Sequence, residues 1–229
     1  MTLQVNDLDR REAAPVASSF SRSQSEAPSL YRGFGKRALD IVLVCVSLPI
    51  VLPLIGLMAV LVALDGHNPF YVQNRVGLHG RIFRIYKLRT MIPNAKARLG
   101  EFLARDSAAR EEWERNQKLR HDPRVTRLGR FLRNTSLDEL PQLLNVLKGD
   151  MSLIGPRPMM IEQMPIYPGR AYYELRPGVS GTWQVSDRNG TTFAARAQFD
   201  SEYNRNLSLW LDIRIMARTL VVVIRGTGC

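Results

Sequence analysis

The stretch from Ile41 to Leu64 constrains the fold more than any other part of this sequence. It contains twenty-four consecutive residues without a charge, bounded by Asp40 and Asp65. At about 1.5 Å per residue, a helix of this length is long enough to cross the hydrocarbon core of a bilayer. The sequence therefore predicts a single membrane anchor in this half of the chain.

Two prolines and the flanking charges argue against a simple crossing. Pro49 and Pro53 lie in the middle of the apolar stretch, where each removes a backbone hydrogen bond and bends a helix. Both flanks are basic, and the positive-inside rule therefore places both in the cytoplasm. These flanking residues are Arg32, Lys36, Arg37, Arg75, Arg81, Arg84, Lys87 and Arg89. We expect a broken, re-entrant membrane helix over residues 36–66; a true span and a buried core helix are the alternatives.

The composition of the chain indicates the redox environment and the class of binding partner. The 229 residues include 32 Lys and Arg against 21 Asp and Glu, a formal net charge of +11. This charge favours anionic partners such as phosphorylated substrates, lipid headgroups or nucleic acid. The two cysteines, Cys45 and Cys229, provide neither a disulfide framework nor a metal-ligand cluster, which is typical of a reducing environment. Residues 1–35 contain few large apolar groups, so we expect a disordered tail there.

Residues 67–229 are expected to form an α+β domain that is mainly helical with a small β-hairpin. Two short runs, Pro69 to Val72 and Arg81 to Tyr86, have strand composition and are separated by turn glycines. The charged segment from Pro93 to Leu119 predicts one long helix with a solvated outer face.

The C-terminal third combines a glycine-rich loop with an amphipathic helix. The loop from Arg176 to Val185 is expected to lead into a strand, and its glycines permit either close approach to a ligand or simple turns. The helix is predicted from Ser208, as its cap, to Gly226. Its apolar side consists of Leu209, Trp210, Ile213, Met216, Leu220 and Ile224, and its basic side of Arg214, Arg218 and Arg225. This pattern suits a helix lying at a membrane surface, although packing against the domain explains the same stripe.

Acidic and basic groups are concentrated between Arg133 and Pro158. Asp138 and Glu139 lie side by side, and Ser136 with Glu139 has the form of a capping box that opens a short helix. Gly149 is a natural C-terminal stop for that helix. The two carboxylates then lie in the first turn, where the helix dipole favours ionised groups. Ordinary capping accounts for this pattern as well as a functional site does.

Nucleic acid is not an expected partner. Arg124, Arg127, Arg130 and Arg133 recur every three residues. However, no aromatic residues alternate with them, and no recognition-helix or zinc pattern is present.

With these motifs in view, the chain resembles the bacterial sugar transferases of the single-anchor polyprenyl-phosphate phosphoglycosyl transferase family. The resemblance runs from Lys36 to Gly226. The matching motifs are Lys36-Arg-Ala-Leu-Asp40, Gln73-Asn-Arg-Val-Gly77, Tyr86-Lys-Leu-Arg-Thr-Met91, Arg133 with Ser136-Leu-Asp-Glu-Leu-Pro-Gln142, and Pro156-Arg-Pro158. The short form and the Arg-Gly-Thr-Gly ending are most similar to the galactose-type initiators of rhizobial exopolysaccharide synthesis.

The resemblance implies a reaction and roles for particular residues. The family moves a phosphosugar from a nucleotide diphosphate sugar to a polyprenyl phosphate, with Mg²⁺, through a covalent enzyme intermediate. On that basis Asp138 would be the nucleophile, would release UMP and would help hold Mg²⁺. Glu139 would position the pair or assist proton movement. The candidate phosphate-binding residues are Arg75, Lys87, Arg89, Arg133 and Arg157, with Pro156 and Pro158 fixing the backbone beside Arg157.

The implied partners are a UDP-sugar, undecaprenyl phosphate and membrane lipid, at the cytoplasmic face of a bacterial inner membrane. The resemblance favours galactose over glucose as the sugar, and a homodimer through the membrane helix or the terminal helix is a further expectation. The alternative function is a non-catalytic, membrane-bound basic adaptor that binds anionic lipid or nucleic acid.

Overall fold

The computed structural model describes residues 30–116, 119, 121–186 and 192–225. Most of the predicted disordered tail, residues 1–29, lies outside this range. Its last part was predicted wrongly, because Tyr31–Gly35 form a π-helical turn that continues into the first α-helix. The Tyr31 hydroxyl donates a 2.6 Å hydrogen bond to the Asp212 carboxylate, which ties this turn to the domain.

The described residues form a mainly helical α+β fold, as predicted. The helices are α1 Lys36–Ala63, α2 Ala95–Arg105, α3 Ser107–Asn116, α4 Arg127–Asn134, α5 Leu143–Lys148, α6 Arg196–Asn206 and α7 Leu209–Ile224. The strands are β1 Phe70–Val76, β2 Ile82–Leu88, β3 Ser152–Ile154 and β4 Gly178–Ser180. Short 3₁₀ turns connect several of them, at Leu78–Gly80, Leu137–Gln142, Ile161–Ile166 and Ala171–Glu174.

Helix α1 runs without interruption through Pro49 and Pro53, so the break that we expected in its secondary structure is absent. Each proline still removes one backbone donor. The helix is held by packing on both sides of the prolines, because Val44 and Leu48 contact the domain before them and Leu54 and Met58 after them. Tertiary contacts therefore outweigh the local cost of the two prolines.

One face of α1 is buried and the other is exposed along its whole length. Val44 packs against Phe83 and Val146, and Met58 packs nearer the other end against Leu88. The opposite face exposes large apolar side chains, namely Val42, Val46, Ile50, Leu52, Leu57 and Val60. The helix is thus half a core element and half an uncovered apolar surface.

The predicted hairpin is confirmed, and it is attached to the acidic segment by one buried amide. Strands β1 and β2 pair antiparallel, with Phe70 opposite Leu88 and Val76 opposite Ile82. The fully buried Asn145 of α5 donates to the Arg84 carbonyl at 2.7 Å and accepts from the Tyr86 N–H at 3.2 Å. Both bonds hold α5 against the strand that carries Lys87.

The glycine-rich loop contains a short strand, β4, which pairs in parallel with β3, and we did not predict this pair. Ser152 of β3 pairs with Gly178 of β4, and the chain after β4 forms a turn instead of the expected strand. A Cβ atom at Gly178 would lie 2.1 Å from the Gly155 nitrogen. Glycine is therefore required here because two backbone segments approach each other closely.

The charged segment after the hairpin forms two helices, where we predicted one. Asp106 adopts an extended conformation between α2 and α3, and its carboxylate accepts a 2.9 Å hydrogen bond from the Ala109 N–H. An aspartate that caps a new helix in this way ends the preceding one.

Helix α7 begins as predicted but buries a different face. The Ser208 hydroxyl accepts from the Leu211 N–H at 3.3 Å, which confirms the cap. The domain covers Asp212 and Ile215, whereas the predicted apolar stripe is largely exposed. Among its members, Leu209, Trp210, Ile213, Leu220 and Ile224 are uncovered. Packing against the domain therefore does not account for that stripe.

A buried carboxylate joins the start of α1 to the start of α7. Asp212 is 1% exposed and accepts from the hydroxyls of Tyr31 and Tyr203, each at 2.6 Å. It also accepts from the Lys36 ammonium at 2.7 Å. Without this carboxylate, Tyr31 and Lys36 would lose this acceptor, and Tyr203 would keep only a 3.4 Å hydrogen bond to the Ile154 carbonyl.

We expect Asp212→Ala to lower the free energy of unfolding by about 3 kcal/mol or more, because it removes the carboxylate partner of the Lys36 ammonium and the Tyr31 hydroxyl and weakens the hydrogen bonding of Tyr203. Thermal unfolding of the detergent-solubilised protein measures this loss. Glu202→Ala, at an exposed position on α6, is the control and is expected to unfold close to the wild-type temperature. An equal effect of both substitutions would contradict the role of Asp212.

Candidate active site

The acidic pair lies in a 3₁₀ turn, Leu137–Gln142, that leads directly into α5. Both carboxylates occupy its first turn, as predicted, but the predicted capping box is wrong. Ser136 has a left-handed backbone (φ 57°) and its side chain makes no capping bond; the Glu139 N–H bonds to the Ser136 carbonyl at 3.2 Å. Pro141 has no N–H to complete an α-helical bond, which favours the tighter turn.

Lys87 of β2 faces the pair. Its ammonium donates a 2.6 Å hydrogen bond to Glu139 Oε1 and lies 4.0 Å from Asp138 Oδ2. Arg157 approaches from the other side, with its Nη2 3.6 Å from the same Glu139 oxygen. Hence two cations that are far apart in sequence share one carboxylate, and Asp138 is left less tightly engaged.

Asp138 is the more deeply buried of the two acids, at 6% exposure. Burial raises the pKa of its carboxyl to about 6, although the charge of Lys87 opposes this rise. The neighbouring Glu139 raises the pKa further, and Arg133 lowers it. The carboxyl is consequently mostly ionised at neutral pH but poorly solvated, a state that favours reaction with an electrophile.

Of the remaining predicted cations, Arg75 and Arg133 lie near the pair. Burial lowers the pKa of both; the Glu139 charge opposes the shift at Arg75 and the Asp138 charge opposes it at Arg133. Arg133 Nε donates to the Thr90 hydroxyl at 2.9 Å, which fixes its side chain.

Arg89 does not join this group. Its guanidinium donates to the Val62 carbonyl at 3.2 Å and to Asp65 Oδ1 at 2.6 Å. Both acceptors lie at the C-terminal end of the anchor helix, where a cation is favourable. In this structure Arg89 therefore holds α1 against the hairpin, and its role in binding phosphate stays a prediction.

Pro156 and Pro158 hold the backbone on either side of Arg157. The Pro156 carbonyl accepts from the Gly178 N–H at 2.8 Å, and the Pro158 carbonyl accepts from Arg75 Nη1 at 3.4 Å. The position of Arg157 is thus set by β4 and by a neighbouring arginine.

A small cleft opens beside the pair and includes residues that the sequence analysis missed. Its volume of about 30 Å³ holds one or two waters, so most of any nucleotide sugar would lie above it. It is lined by Arg75, Ile85, Lys87, Glu139, Gln142, Arg157, Pro158, Gly178 and Val179. Gln142 is 2% exposed, and its amide nitrogen has no hydrogen-bond partner among the described residues. Its spacing of three residues from Glu139 could have indicated this shared position.

The two carboxylates fit a magnesium ion only together with substrate. Within the described residues, no cluster of three or more His, Cys, Asp or Glu side chains is present. Mg²⁺ in phosphate-handling sites is commonly bound by one or two carboxylates and completed by phosphate oxygens and water. No described residue donates a hydrogen bond to Asp138, so its oxygens are available as ligands.

A buried carboxylate pair among fixed cations is typical of an enzyme that acts on phosphorylated substrates. The sequence comparisons agree with that class. The family model of bacterial sugar transferases matches residues 31–226. The chain therefore belongs to the bacterial sugar transferase family.

Three similar proteins illustrate this membership. The chain is 48% identical over 197 residues to the undecaprenyl-phosphate galactose phosphotransferase of Salmonella typhimurium, covering 85% of this chain and 41% of that protein. It is 45% identical over 197 residues to the UDP-galactose-lipid carrier transferase of Erwinia amylovora, again covering 85% and 41%. It is 42% identical over 199 residues to the exopolysaccharide production protein ExoY of Sinorhizobium fredii, covering 86% and 88%. The chain thus spans about two-fifths of the first two relatives and most of the third.

We expect Lys87→Met to raise the pKa of Asp138 above about 6, because it removes the nearest opposing cation. The acid limb of the kcat/KM profile should move to higher pH, since Asp138 must be ionised to react. Glu139→Gln removes a like charge and should move the acid limb to lower pH. Lys87→Arg keeps the cation and should leave the acid limb unchanged. UMP release measured between about pH 5 and pH 8 tests this, because the UDP-sugar itself has no group that titrates there. An identical limb in all three variants would exclude Asp138 as the titrating group.

Proposed function

We propose that the protein transfers a sugar 1-phosphate from a UDP-sugar to undecaprenyl phosphate and releases UMP. The observation that best supports this proposal is the buried Asp138, which lies 4.0 Å from the Lys87 ammonium and next to Glu139, the residue that Arg157 approaches. Galactose 1-phosphate is the proposed group, because the names of the Salmonella and Erwinia relatives specify galactose. The rhizobial relative's name supports a role in initiating exopolysaccharide synthesis.

The reaction proceeds in two balanced displacements. An oxygen of the Asp138 carboxylate attacks the sugar-bearing phosphorus, and the bond from that phosphorus to the bridging oxygen breaks. The bridging oxygen leaves with UMP and carries the electron pair of the broken bond. An oxygen of undecaprenyl phosphate then attacks the same phosphorus, the aspartyl bond breaks, and the carboxylate is regenerated. No net proton transfer is required when the lipid phosphate reacts as its dianion.

The surrounding side chains lower the barrier by neutralising charge. The phosphates and the nucleophile are all anionic, so attack needs fixed positive groups in a poorly solvated site. Lys87 and Arg157 provide them on two sides of Glu139. Glu139 in turn orients both cations, so its role is positioning. Asp138, with Glu139 adjacent, would hold Mg²⁺, which would supply further charge neutralisation at the phosphates.

The anchor helix supports a membrane location for this chemistry. Tyr31–Ala63 is long and apolar enough to cross a bilayer, and only 11% of its most apolar window is buried, unlike the core helix of a soluble protein. The domain nevertheless packs along both halves of α1. A perpendicular crossing would draw charged groups such as Arg37 and Arg89 into hydrocarbon, at a cost of several kcal/mol. We therefore propose that α1 enters one leaflet of the inner membrane and keeps the domain at the cytoplasmic face.

A topology measurement tests this placement. Tags fused to either end of the chain should both be accessible from the cytoplasm, because the domain packs along both halves of α1 and would hold both ends of the helix on one side of the membrane. Protease protection of inverted and right-side-out vesicles reports the side. Tags found on opposite sides would establish a true span.

We expect Asp138→Asn to reduce UMP release by at least about 1,000-fold, because the variant lacks the attacking oxygen anion. Burial raises the pKa of Asp138, so its ionised form destabilises the folded state above about pH 6. The variant should therefore unfold at the wild-type temperature or above it at neutral pH. If the protein were instead an adaptor that binds lipid through charge, this substitution should not change its lipid binding. Retained turnover in Asp138→Asn would overturn the nucleophile assignment.

A further inference from the structure

A fourth arginine, which neither the motifs nor the proposed mechanism includes, lies close to Arg75 and Arg157 of the candidate active site. Arg196 is the first residue of α6, and its guanidinium carbon lies 4.1 Å from the centroid of the Trp183 ring and 4.8 Å from that of Phe193. Its Nε is buried and has no hydrogen-bond partner among the described residues. Aromatic rings thus orient the guanidinium while at least one of its donors is unused.

Arg196 belongs to a cluster of three guanidinium groups with Arg75 and Arg157. Arg75 and Arg157 line the same cleft, and Arg196 lies over Trp183, whose neighbour Gln184 is close to Gly155, two residues before Arg157. Burial, and then the charge of Arg157, lower the pKa of Arg196 to about 9 and that of Arg75 to about 10, so both remain charged at neutral pH. The Nε of Arg75 is also buried without a partner in the described part of the chain. Like charges have therefore been brought together in a site that stays short of acceptors.

The nearby acids balance this cluster only in part. Glu139 is engaged by Lys87 at 2.6 Å. The Asp200 charge partly offsets that of Arg196, but its carboxylate accepts a 2.7 Å hydrogen bond from the Tyr167 hydroxyl, and burial raises its pKa to about 6. An additional anion would satisfy the three arginines better than either of these carboxylates does.

A neighbouring amide has the same unsatisfied character. Gln184 is 6% exposed, and neither atom of its side-chain amide has a partner among the described residues. Its Oε1 lies 2.9 Å from the position that a Cβ atom at Gly181 would occupy, and that position is 2.1 Å from the Gly155 carbonyl. The amide is therefore next to the backbone that carries Arg157. Buried polar groups without partners are rare, and several of them together favour a position where a polar ligand or water binds.

Arg124 has a purely structural role in this protein and provides a comparison for Arg196. It also contacts an aromatic ring, at 5.6 Å from Trp113. Its Nε and Nη2, however, both bond to the Asp122 carboxylate, at 2.8 and 2.6 Å. Arg196 has the aromatic contact without any such acceptor.

We propose that Arg196, together with Arg75 and Arg157, binds the phosphate monoester that lies opposite Asp138 across the reacting phosphorus. This inference rests on the proposed function. In the first displacement the group opposite Asp138 is the departing phosphate of UMP, which gains a negative charge as its bond to the sugar-bearing phosphorus breaks. In the second, the attacking phosphate of undecaprenyl phosphate approaches from the same side and regenerates the Asp138 carboxylate. One subsite therefore serves a nucleotide and a lipid in turn.

The test measures binding of phosphate monoesters to the full-length protein in detergent. Arg196→Gln removes the charge, and Arg205→Gln, at an exposed position on the same helix, is the matched control. The probes are UMP, uridine and dodecyl phosphate. Uridine lacks the phosphate of UMP, so comparing the two isolates the contribution of the phosphate. Dodecyl phosphate carries a lipid-like chain in place of the nucleoside, so it reports binding of the lipid phosphate. We expect Arg196→Gln to weaken UMP and dodecyl phosphate by about tenfold or more, because a charge-assisted contact is lost. Uridine affinity should not change, and Arg205→Gln should bind every probe as the wild type does.

The possible outcomes distinguish this inference from the proposed function. Unchanged binding of both monoesters to folded Arg196→Gln would overturn the subsite, even if the wild type turns over UDP-galactose. Loss of UMP binding alone would overturn the sharing of the subsite with the lipid. UMP binding that depends on Arg196, in a wild type that shows no turnover, would reject the proposed function and keep the subsite. If Arg196→Gln does not fold, Arg196→Lys decides: it keeps the charge but loses the planar fork, and wild-type affinity for UMP would refute the assignment.

Discussion

The one-sided burial of α1 is the constraint on which the rest of the structure depends. Its inner face supplies Val44, Met58 and Val62 to two of the hydrophobic clusters, which also contain strand β2 and helices α4 and α5. Without α1, the apolar sides of those elements would face water. Helix α1 and the domain are therefore one packed unit. In our proposal, the outward face of the helix determines how deeply that unit enters the bilayer.

This packing also determines where the charged groups lie. The acidic turn is held by α5, and α5 is fixed by Asn145 to β2 and by Arg37 of α1, which donates to the Val146 and Leu147 carbonyls at 2.5 and 2.9 Å. The carboxylates are thus immobilised against the cations before any substrate binds. Such preorganisation is what makes fixed charges effective in a poorly solvated site. The positive charges of Arg75, Arg157 and Arg196 oppose one another in the free protein, and in our proposal a bound phosphate would offset them.

Strand composition and one helix cap predicted the structure correctly, whereas three other sequence signals did not. The composition of the hairpin strands and the Ser208 cap were confirmed, because side-chain type decides both over a few residues. The break at the prolines was wrong because α1 packs against the domain on both sides of them. The capping box at Ser136 and the single helix after Pro93 were wrong for local reasons that composition does not reveal: Ser136 has a left-handed backbone, and the Asp106 carboxylate caps a new helix.

The order and spacing of the motifs by themselves determined the family resemblance, the apolar anchor, and the importance of Asp138, Glu139, Lys87 and Arg157. Only the tertiary structure decided which cations share the site. It moved Arg89 to the end of α1, placed Arg75 and Arg157 together, and added Arg196, about forty residues beyond Arg157 in the chain. The physical reason is that a phosphate site is defined by distances between charges in space. Sequence reveals the charges, and the packing of α1, β2 and α6 sets the distances.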